Sequence, residues 1–183
     1  MFNSLFDGAP VDIMQMLDAR ERRAHTQQQL LEQFNPCVLV SITLNIPGPV
    51  KNSEAITTVF ASVISELDAA LASFERLHQE DFSLATGMEF YRVLRADALD
   101  VKRACTEFEE GHSLGRLLDI DVVEMAGDTP TPISRTALGM PPRRCFICNE
   151  EAKVCARSRK HTVLEMQEHI AQMIATYTST QRP

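Results

Sequence analysis

The segment Cys37-Val38-Leu39-Val40-Ser41-Ile42-Thr43-Leu44 constrains this chain more than any other. It is short, largely apolar and rich in β-branched residues, which marks a strand. Asn35-Pro36 precedes it and Ile46-Pro47-Gly48-Pro49 follows it, so both ends are stopped by proline. Apolar residues occupy both its odd and its even positions. A strand with two apolar faces must be covered on both, so other elements have to lie above and below a sheet. At 183 residues the chain is long enough to bury such a core. A single domain, 1–183, is expected, with a helical C-terminal part over 143–183.

The flanking pattern supplies the cover. Val11 to Phe34 reads as a helix, with Val11, Met14, Leu17, Ala24, Leu31 and Phe34 as its apolar stripe and Asp12 at its start. Arg20-Glu21-Arg22-Arg23 is expected along its exposed side. Glu54 to Leu77 reads as a second helix through Ile56, Phe60, Val63, Ile64, Leu67, Leu71 and Phe74. A strand follows near Met88 to Arg95. Asp97 caps a third helix over Ala98 to Glu110, which Gly111 ends. Leu117 to Met125 reads as a strand, followed by a Gly-Asp-Thr-Pro-Thr-Pro turn, an extended piece at Ile133-Ser134-Arg135 and a loop, Gly139-Met140-Pro141-Pro142. Helices are expected over Glu150 to Ser158 and His161 to Tyr177, with a frayed polar tail. The sum is an α/β (α+β) fold: a central mixed β-sheet flanked by helices, with a helical end.

The chemistry concentrates in two places. In Leu118-Asp119-Ile120-Asp121-Val122, residues two apart share a face, so both aspartates project together while Ile120 and Val122 enter a core. Two adjacent carboxylates repel each other unless a cation lies between them. Mg²⁺ suits such oxygen donors together with substrate phosphates, as in phosphoryl and nucleotidyl transfer. The alternative is an ordinary solvent-facing strand. Farther on, Arg143, Arg144, Lys153, Arg157, Arg159 and Lys160 place six of the 18 Lys and Arg residues in about a tenth of the chain. Against a net charge of −7, that cluster fits a specific anionic ligand; the alternative is a solvated helix face.

Two other patterns compete. Gly111-His112-Ser113-Leu114-Gly115 matches the serine hydrolase Gly-x-Ser-x-Gly, and Asp121, Asp128 and His161 follow in triad order. A nucleophile elbow needs a strand before it and a helix after it, and here the order is reversed. Cys145-x-x-Cys148 with Cys155 and His161 offers four zinc ligands, but only one pair has knuckle spacing. Core packing of these thiols is the expectation, and zinc the less favoured one.

The acidic balance excludes a uniformly basic nucleic-acid binder. No apolar run approaches a membrane span. The start, Met-Phe-Asn-Ser-Leu-Phe-Asp, has no export signal, and five cysteines without one suit a reducing cytoplasm.

Three stretches together carry a resemblance: Thr43-Leu44-Asn45-Ile46-Pro47-Gly48-Pro49-Val50-Lys51; Leu114-Gly115-Arg116-Leu117-Leu118-Asp119-Ile120-Asp121-Val122; and Gly139-Met140-Pro141-Pro142-Arg143-Arg144-Cys145 continuing to Cys148 and through Cys155-Ala156-Arg157-Ser158-Arg159-Lys160-His161. With the Ala19-Arg20-Glu21 helix, they resemble the apo-citrate lyase phosphoribosyl-dephospho-CoA transferase family across nearly the whole chain. The resemblance implies a nucleotidyltransferase-like enzyme. It would transfer the prosthetic group of 2′-(5″-triphosphoribosyl)-3′-dephospho-CoA to a serine of the apo acyl carrier protein of citrate lyase, releasing pyrophosphate. Asp119 and Asp121 would then be catalytic and hold Mg²⁺, and Arg116 would clamp pyrophosphate. Asn45, Lys51, Arg143, Arg144, Arg157, Arg159 and His161 would bind substrate, with part of this basic face docking the carrier. Many nucleotidyltransferases have a third carboxylate on a later strand; none is evident after Asp121, and Glu89, on an earlier strand, is the remaining candidate. The family often has proline where Ser113 stands, which argues against a nucleophilic role. A non-catalytic carrier-binding assembly module is the remaining alternative.

Overall fold

The computed structural model describes residues 5–148 and 150–181. Helix α1, Ile13–Gln33, begins at Asp12, where Asp12 and Gln15 exchange side-chain to backbone hydrogen bonds of 2.8 Å in each direction. Strand β1 is Val38–Leu44, and α2, Glu54–Ala70, is capped by the Ser53 hydroxyl. Then come β2, Glu75–Leu84, β3, Gly87–Arg95, and α3, Ala98–Gly111, capped as expected by Asp97. A 3₁₀ turn at Gly115–Leu117 leads into β4, Leu118–Ala126, and then β5, Thr129–Pro132. A second 3₁₀ turn, Arg135–Leu138, precedes α4, Ala152–Ser158, and α5, Val163–Thr180, which Thr162 and Glu165 cap reciprocally.

The strands form one sheet in the order β2-β3-β1-β4-β5, and every neighbouring pair is antiparallel. The expected mixed sheet is therefore corrected to an antiparallel one. The crossovers β1-α2-β2 and β3-α3-β4 do join strands running the same way. In each case, however, the sheet inserts another strand between them, giving the split β-α-β arrangement of ferredoxin-like folds.

The apolar run of β1 lies at the centre of this sheet and is covered on both faces. On one face, Val38, Val40 and Ile42 join Phe90, Leu94, Ile120 and Val122 beneath Phe60 and Val63 of α2, Val101 of α3 and Ile170 of α5. On the other face, Leu39, Tyr91, Val93 and Val123 pack under Leu30 and Leu31 of α1. That second core is small. Helix α1 covers only part of its face apolarly and leaves the rest polar.

Three expectations fail locally. Helix α2 stops at Ala70, and the expected end of the helix up to Leu77 instead opens an edge strand, Glu75–Leu84. The cause is long-range: the buried Arg92 guanidinium of β3 binds Asp68 of α2 and Asp81 of β2, which fixes both elements around it. The Thr-Pro-Thr-Pro segment forms β5 instead of a turn, since an edge strand tolerates proline. Met14 and Leu17 are 62% and 54% exposed, so the first turns of α1 do not bury their apolar stripe. Helix α5 continues to Thr180; the last two residues of the expected tail, Arg182-Pro183, lie outside the described residues. No helix among the described residues is long and apolar enough to cross a membrane.

Candidate active site

Cross-strand register arranges the acidic wall. Thr43 of β1 pairs with both Glu89 of β3 and Asp119 of β4, and Ser41 pairs with both Tyr91 and Asp121. Directly paired residues point to the same face, so two polar rows cross the sheet on the side that α1 covers. Leu118, Ile120 and Val122 alternate into the main core, so Asp119 and Asp121 share the polar face, as their spacing predicts. Over them lie Arg20, Arg23, Ala24 and Gln27 of α1, enclosing a groove of about 260 Å³ with Ser41, Thr43 and the two aspartates. Gln27 ties the helix to β1 by donating to the Ser41 hydroxyl at 2.9 Å.

Burial and the adjacent Asp119 charge push the Asp121 carboxyl up, with Lys102 and Arg143 pulling the other way. Lys102 lies under the strand, where its ammonium donates to the Ile120 carbonyl at 3.1 Å. Glu89 shares the face of Asp119 but is fully engaged. It accepts from Arg22 at 2.9 Å, Arg23 at 3.3 Å and the Tyr91 hydroxyl at 3.1 Å. Two strand spacings, about 10 Å, separate it from Asp119. Its role in this arrangement is to anchor Arg22 and Arg23; Arg20, Glu21 and Arg22 stay exposed as expected, while Arg23 is half-buried at the groove.

A larger cavity, about 790 Å³, adjoins the groove, and Asp119 lines both. Arg116, expected to be catalytic, and Asn45, Arg143, Arg144, Arg159 and His161 of the expected binding residues line it, joined by Lys153. Phe146 and Met166 add an apolar stretch of wall. Asn45 is fixed where β1 ends, its N–H donating to the Leu117 carbonyl at 2.8 Å.

Arginines crowd where the cavity meets the start of β4. Arg143 donates to the Leu118 carbonyl, and at 3.3 Å to that of Arg116; its other terminal nitrogen lies 3.5 Å from Asp119. Arg143 and Arg135 each lie 3.7 Å from the buried Glu109 carboxylate. Burial pushes the Glu109 carboxyl up, against the pull of Arg143, Lys102 and Arg135. Burial, then repulsion from Arg143 and Arg135, pulls Arg116 below its ordinary value, and its Nε is buried without a hydrogen-bond partner. Such a cluster favours an anion.

Two expected binding residues lie elsewhere in role or place. Lys51 does not line the cavity; its half-buried ammonium, lowered by desolvation, donates to the Ile46 carbonyl at 2.7 Å and staples the proline loop. Arg157 does not line it either. His161 does, but its Nε2 lies 3.3 Å from the Cys148 sulfur. The Gly-x-Ser-x-Gly segment follows a helix and enters a 3₁₀ turn, so no strand-to-helix elbow forms. Its last glycine has a packing role: a Cβ on Gly115 would stand 2.6 Å from the Glu109 carbonyl oxygen.

Sequence reasoning missed Arg23, Gln27, Ser41 and Thr43. The hydroxyls were legible only as interruptions of an apolar strand, Arg23 only as part of a charged run, and Gln27 carried no signal.

Comparison with known proteins gives one consistent answer. Residues 11–177 match the family model described as apo-citrate lyase phosphoribosyl-dephospho-CoA transferase. A probable apo-citrate lyase phosphoribosyl-dephospho-CoA transferase of Streptococcus pyogenes serotype M18 is 41% identical over 175 residues, covering 96% of this chain and 91% of that protein. An apo-citrate lyase phosphoribosyl-dephospho-CoA transferase of Escherichia coli O7:K1 is 38% identical over 158 residues, 85% of this chain and 84% of the relative. Protein CitXG of Leuconostoc mesenteroides subsp. cremoris is 34% identical over 93% of this chain, which spans only 36% of that longer protein.

Proposed function

Because the chain is an enzyme belonging to the apo-citrate lyase phosphoribosyl-dephospho-CoA transferase family, we propose that its two cavities perform one displacement at phosphorus. The substrate is 2′-(5″-triphosphoribosyl)-3′-dephospho-CoA, and the acceptor is a serine of the apo acyl carrier protein of citrate lyase. The serine oxygen bonds to the phosphorus attached to the ribose 5″ oxygen. The bond from that phosphorus to the bridging oxygen breaks, pyrophosphate leaves with the electron pair, and the serine proton passes to a carboxylate. The chemistry is of nucleotidyltransferase type.

The observation that carries this reading is the position of Asp119, shared by the acidic groove and the arginine-lined cavity. The roles follow from charge. The large cavity takes the polyanion: Arg116 and Arg143 face the phosphates, and Arg144, Lys153 and Arg159 extend the positive wall. Phe146 and Met166 suit the apolar parts of a dephospho-CoA group. Asp119 and Asp121 accept the proton and orient the attacking hydroxyl.

The same carboxylates, with the Ser41 and Thr43 hydroxyls beside them, form a hard oxygen donor set that fits Mg²⁺. A bound Mg²⁺ would supply charge neutralisation at the phosphates. Carrier docking falls to exposed basic residues such as Arg157, since carriers of this kind are acidic. Five cysteines outside any disulfide among the described residues favour a cytoplasmic setting.

Incubating the chain with apo carrier, substrate and Mg²⁺, then weighing the carrier by mass spectrometry, tests the reading. A gain equal to the phosphoribosyl-dephospho-CoA group supports it. An unmodified carrier with intact, bound substrate refutes it and favours the assembly-module alternative.

A further inference from the structure

The segment between the sheet and α5 poses a stability problem. Among the described residues, Cys155 is the only buried hydrophobic one between Val123 and Ile170. Phe146 packs only partly against the main core. An arm with so little burial cannot hold a fixed position through apolar contacts. Yet it carries Arg143, Arg144, Lys153 and Arg159 into the cavity wall.

Its internal geometry supplies another fastening. The chain doubles back as the Ala152 N–H donates to the Arg143 carbonyl and the Cys145 N–H to the Glu150 carbonyl, both at 2.8 Å. This turn brings Cys145 and Cys148 to the start of α4, whose single buried residue is Cys155. Arg159, at φ 49°, ends α4 in a left-handed conformation and turns the chain so that His161 returns to the thiols. The donor atoms of Cys145, Cys148, Cys155 and His161 all lie within 4.8 Å of one another. Donors at the corners of a tetrahedron with bonds of about 2.3 Å are separated by about 3.8 Å, so a small contraction closes this set around an ion. The Ile147 N–H already points to the Cys145 sulfur at 3.4 Å, as in the turn of a metal knuckle. Cys148 stands before α4 rather than on it, so it shares no helix face with Cys155 that would pack both thiols into the core.

From this we infer that Cys145, Cys148, Cys155 and His161 form a closed zinc site that fastens the basic arm beside the catalytic strand. Three sulfurs and an imidazole are soft and intermediate donors, which select zinc over magnesium. Four protein ligands fill a tetrahedron and leave no position for water or substrate, so the ion is structural. Its work is to hold the arginines of the arm in place. Three thiolates around Zn²⁺ leave a net charge of −1, which the surrounding basic residues offset.

The experiment uses the full chain, purified without metal-affinity resin and analysed by elemental mass spectrometry. We expect about one zinc per chain and none of comparable amount after Cys148→Ser, while Cys37→Ser keeps the metal. Alkylation mapped by peptide mass should find Cys145, Cys148 and Cys155 protected as purified and reactive after chelation, with Cys37 unaffected by chelator. Replacement by Co²⁺ should give the intense visible bands of tetrahedral thiolate coordination. If Cys148→Ser does not fold, the zinc content, alkylation map and Co²⁺ spectrum of the unaltered chain still decide. A chain without metal whose three thiols alkylate as freely as Cys37 overturns the inference. So does a disulfide within the set, or iron in place of zinc. None of these readouts depends on transferase activity, so the site and the proposed reaction stand or fall separately.

Discussion

The acidic groove and the arginine-lined cavity, which meet at Asp119, are held by different forces. Asp119 and Asp121 project from β4, which is paired on both sides and backed by Leu118, Ile120 and Val122 in the main core. Opposite, Arg143, Arg144 and Arg159 come from an arm with one buried hydrophobic residue among those described, so polar contacts and the proposed Cys/His site must fasten it. Position in the acidic wall is set by burial behind it, so its side chains are free to be chosen for chemistry. In the basic wall, Arg143, proposed to face substrate, also holds the wall up through the carbonyls at the start of β4. Substitutions should therefore separate activity from stability on one side and couple them on the other.

The acidic wall gives the largest expected effect. Asp119→Asn should lower carrier modification by about 10³-fold. Asp119 is 60% exposed, so the melting behaviour should barely move. Asp121→Asn should be equally inactive and no less stable, since the replacement removes repulsion with Asp119. Near-normal turnover in either variant, measured by carrier mass over time, would remove the carboxylates from the reaction. Inactivity together with a large drop in stability would break the comparison itself.

Arg143 tests the coupling on the other side. Its resemblance-based role predicts weakened substrate binding, but it also donates to the carbonyls that open β4. Arg143→Ala should thus raise KM about 10-fold and cost about 2 kcal/mol of stability. Denaturant titration beside steady-state kinetics reads both. A KM effect with unchanged stability would show the arm is held without this residue, and the coupling argument would fail there.

Arg116 should behave differently from Arg143, although both are proposed to face the same phosphates. Its buried Nε has no partner, and neighbouring arginines oppose its charge. Removing it leaves few contacts unsatisfied. Arg116→Ala should raise KM about 10-fold with a stability change within about 0.5 kcal/mol. Urea denaturation of the two variants side by side gives the contrast directly; equal destabilisation would abolish it.

The same division explains what could be read from the chain in advance. The acidic wall was legible because it is local: strand alternation alone places Asp119 and Asp121 together, and the apolar run of β1 demands a covered sheet. Asn45, Arg116, Arg143, Arg144 and Arg159, which the resemblance singled out for substrate, line the cavity. What was not legible depends on contacts distant in sequence. Strand β2 shows little apolar alternation, because its partners are the β3 backbone and the buried Arg92. The antiparallel order depends on which strand is inserted between two others, and helix–strand alternation does not specify that. Arg23 enters the groove only because Glu89, 66 residues away, accepts from it. The arm was the hardest part to read, since its spacing of cysteines and histidine gains meaning only when the left-handed turn at Arg159 brings His161 back.

Ser113 should show the smallest effect and supplies the sharpest check on motif reading. It matches a hydrolase pattern, yet its segment follows α3 and precedes a 3₁₀ turn. The neighbouring His112 is already engaged: it lies 3.1 Å from Glu66 and accepts from the Leu114 N–H at 3.1 Å. Both contacts, and the close approach that Gly115 permits, make this a structural turn joining α3 to the strand that carries the aspartates. Ser113→Ala should therefore leave carrier modification unchanged, with stability within about 0.5 kcal/mol. Treatment with a serine-directed phosphonate should leave no adduct on Ser113 by peptide mass. Loss of carrier modification on substitution, with the fold intact, would move the chemistry from the strand to the turn and make the acidic wall a bystander.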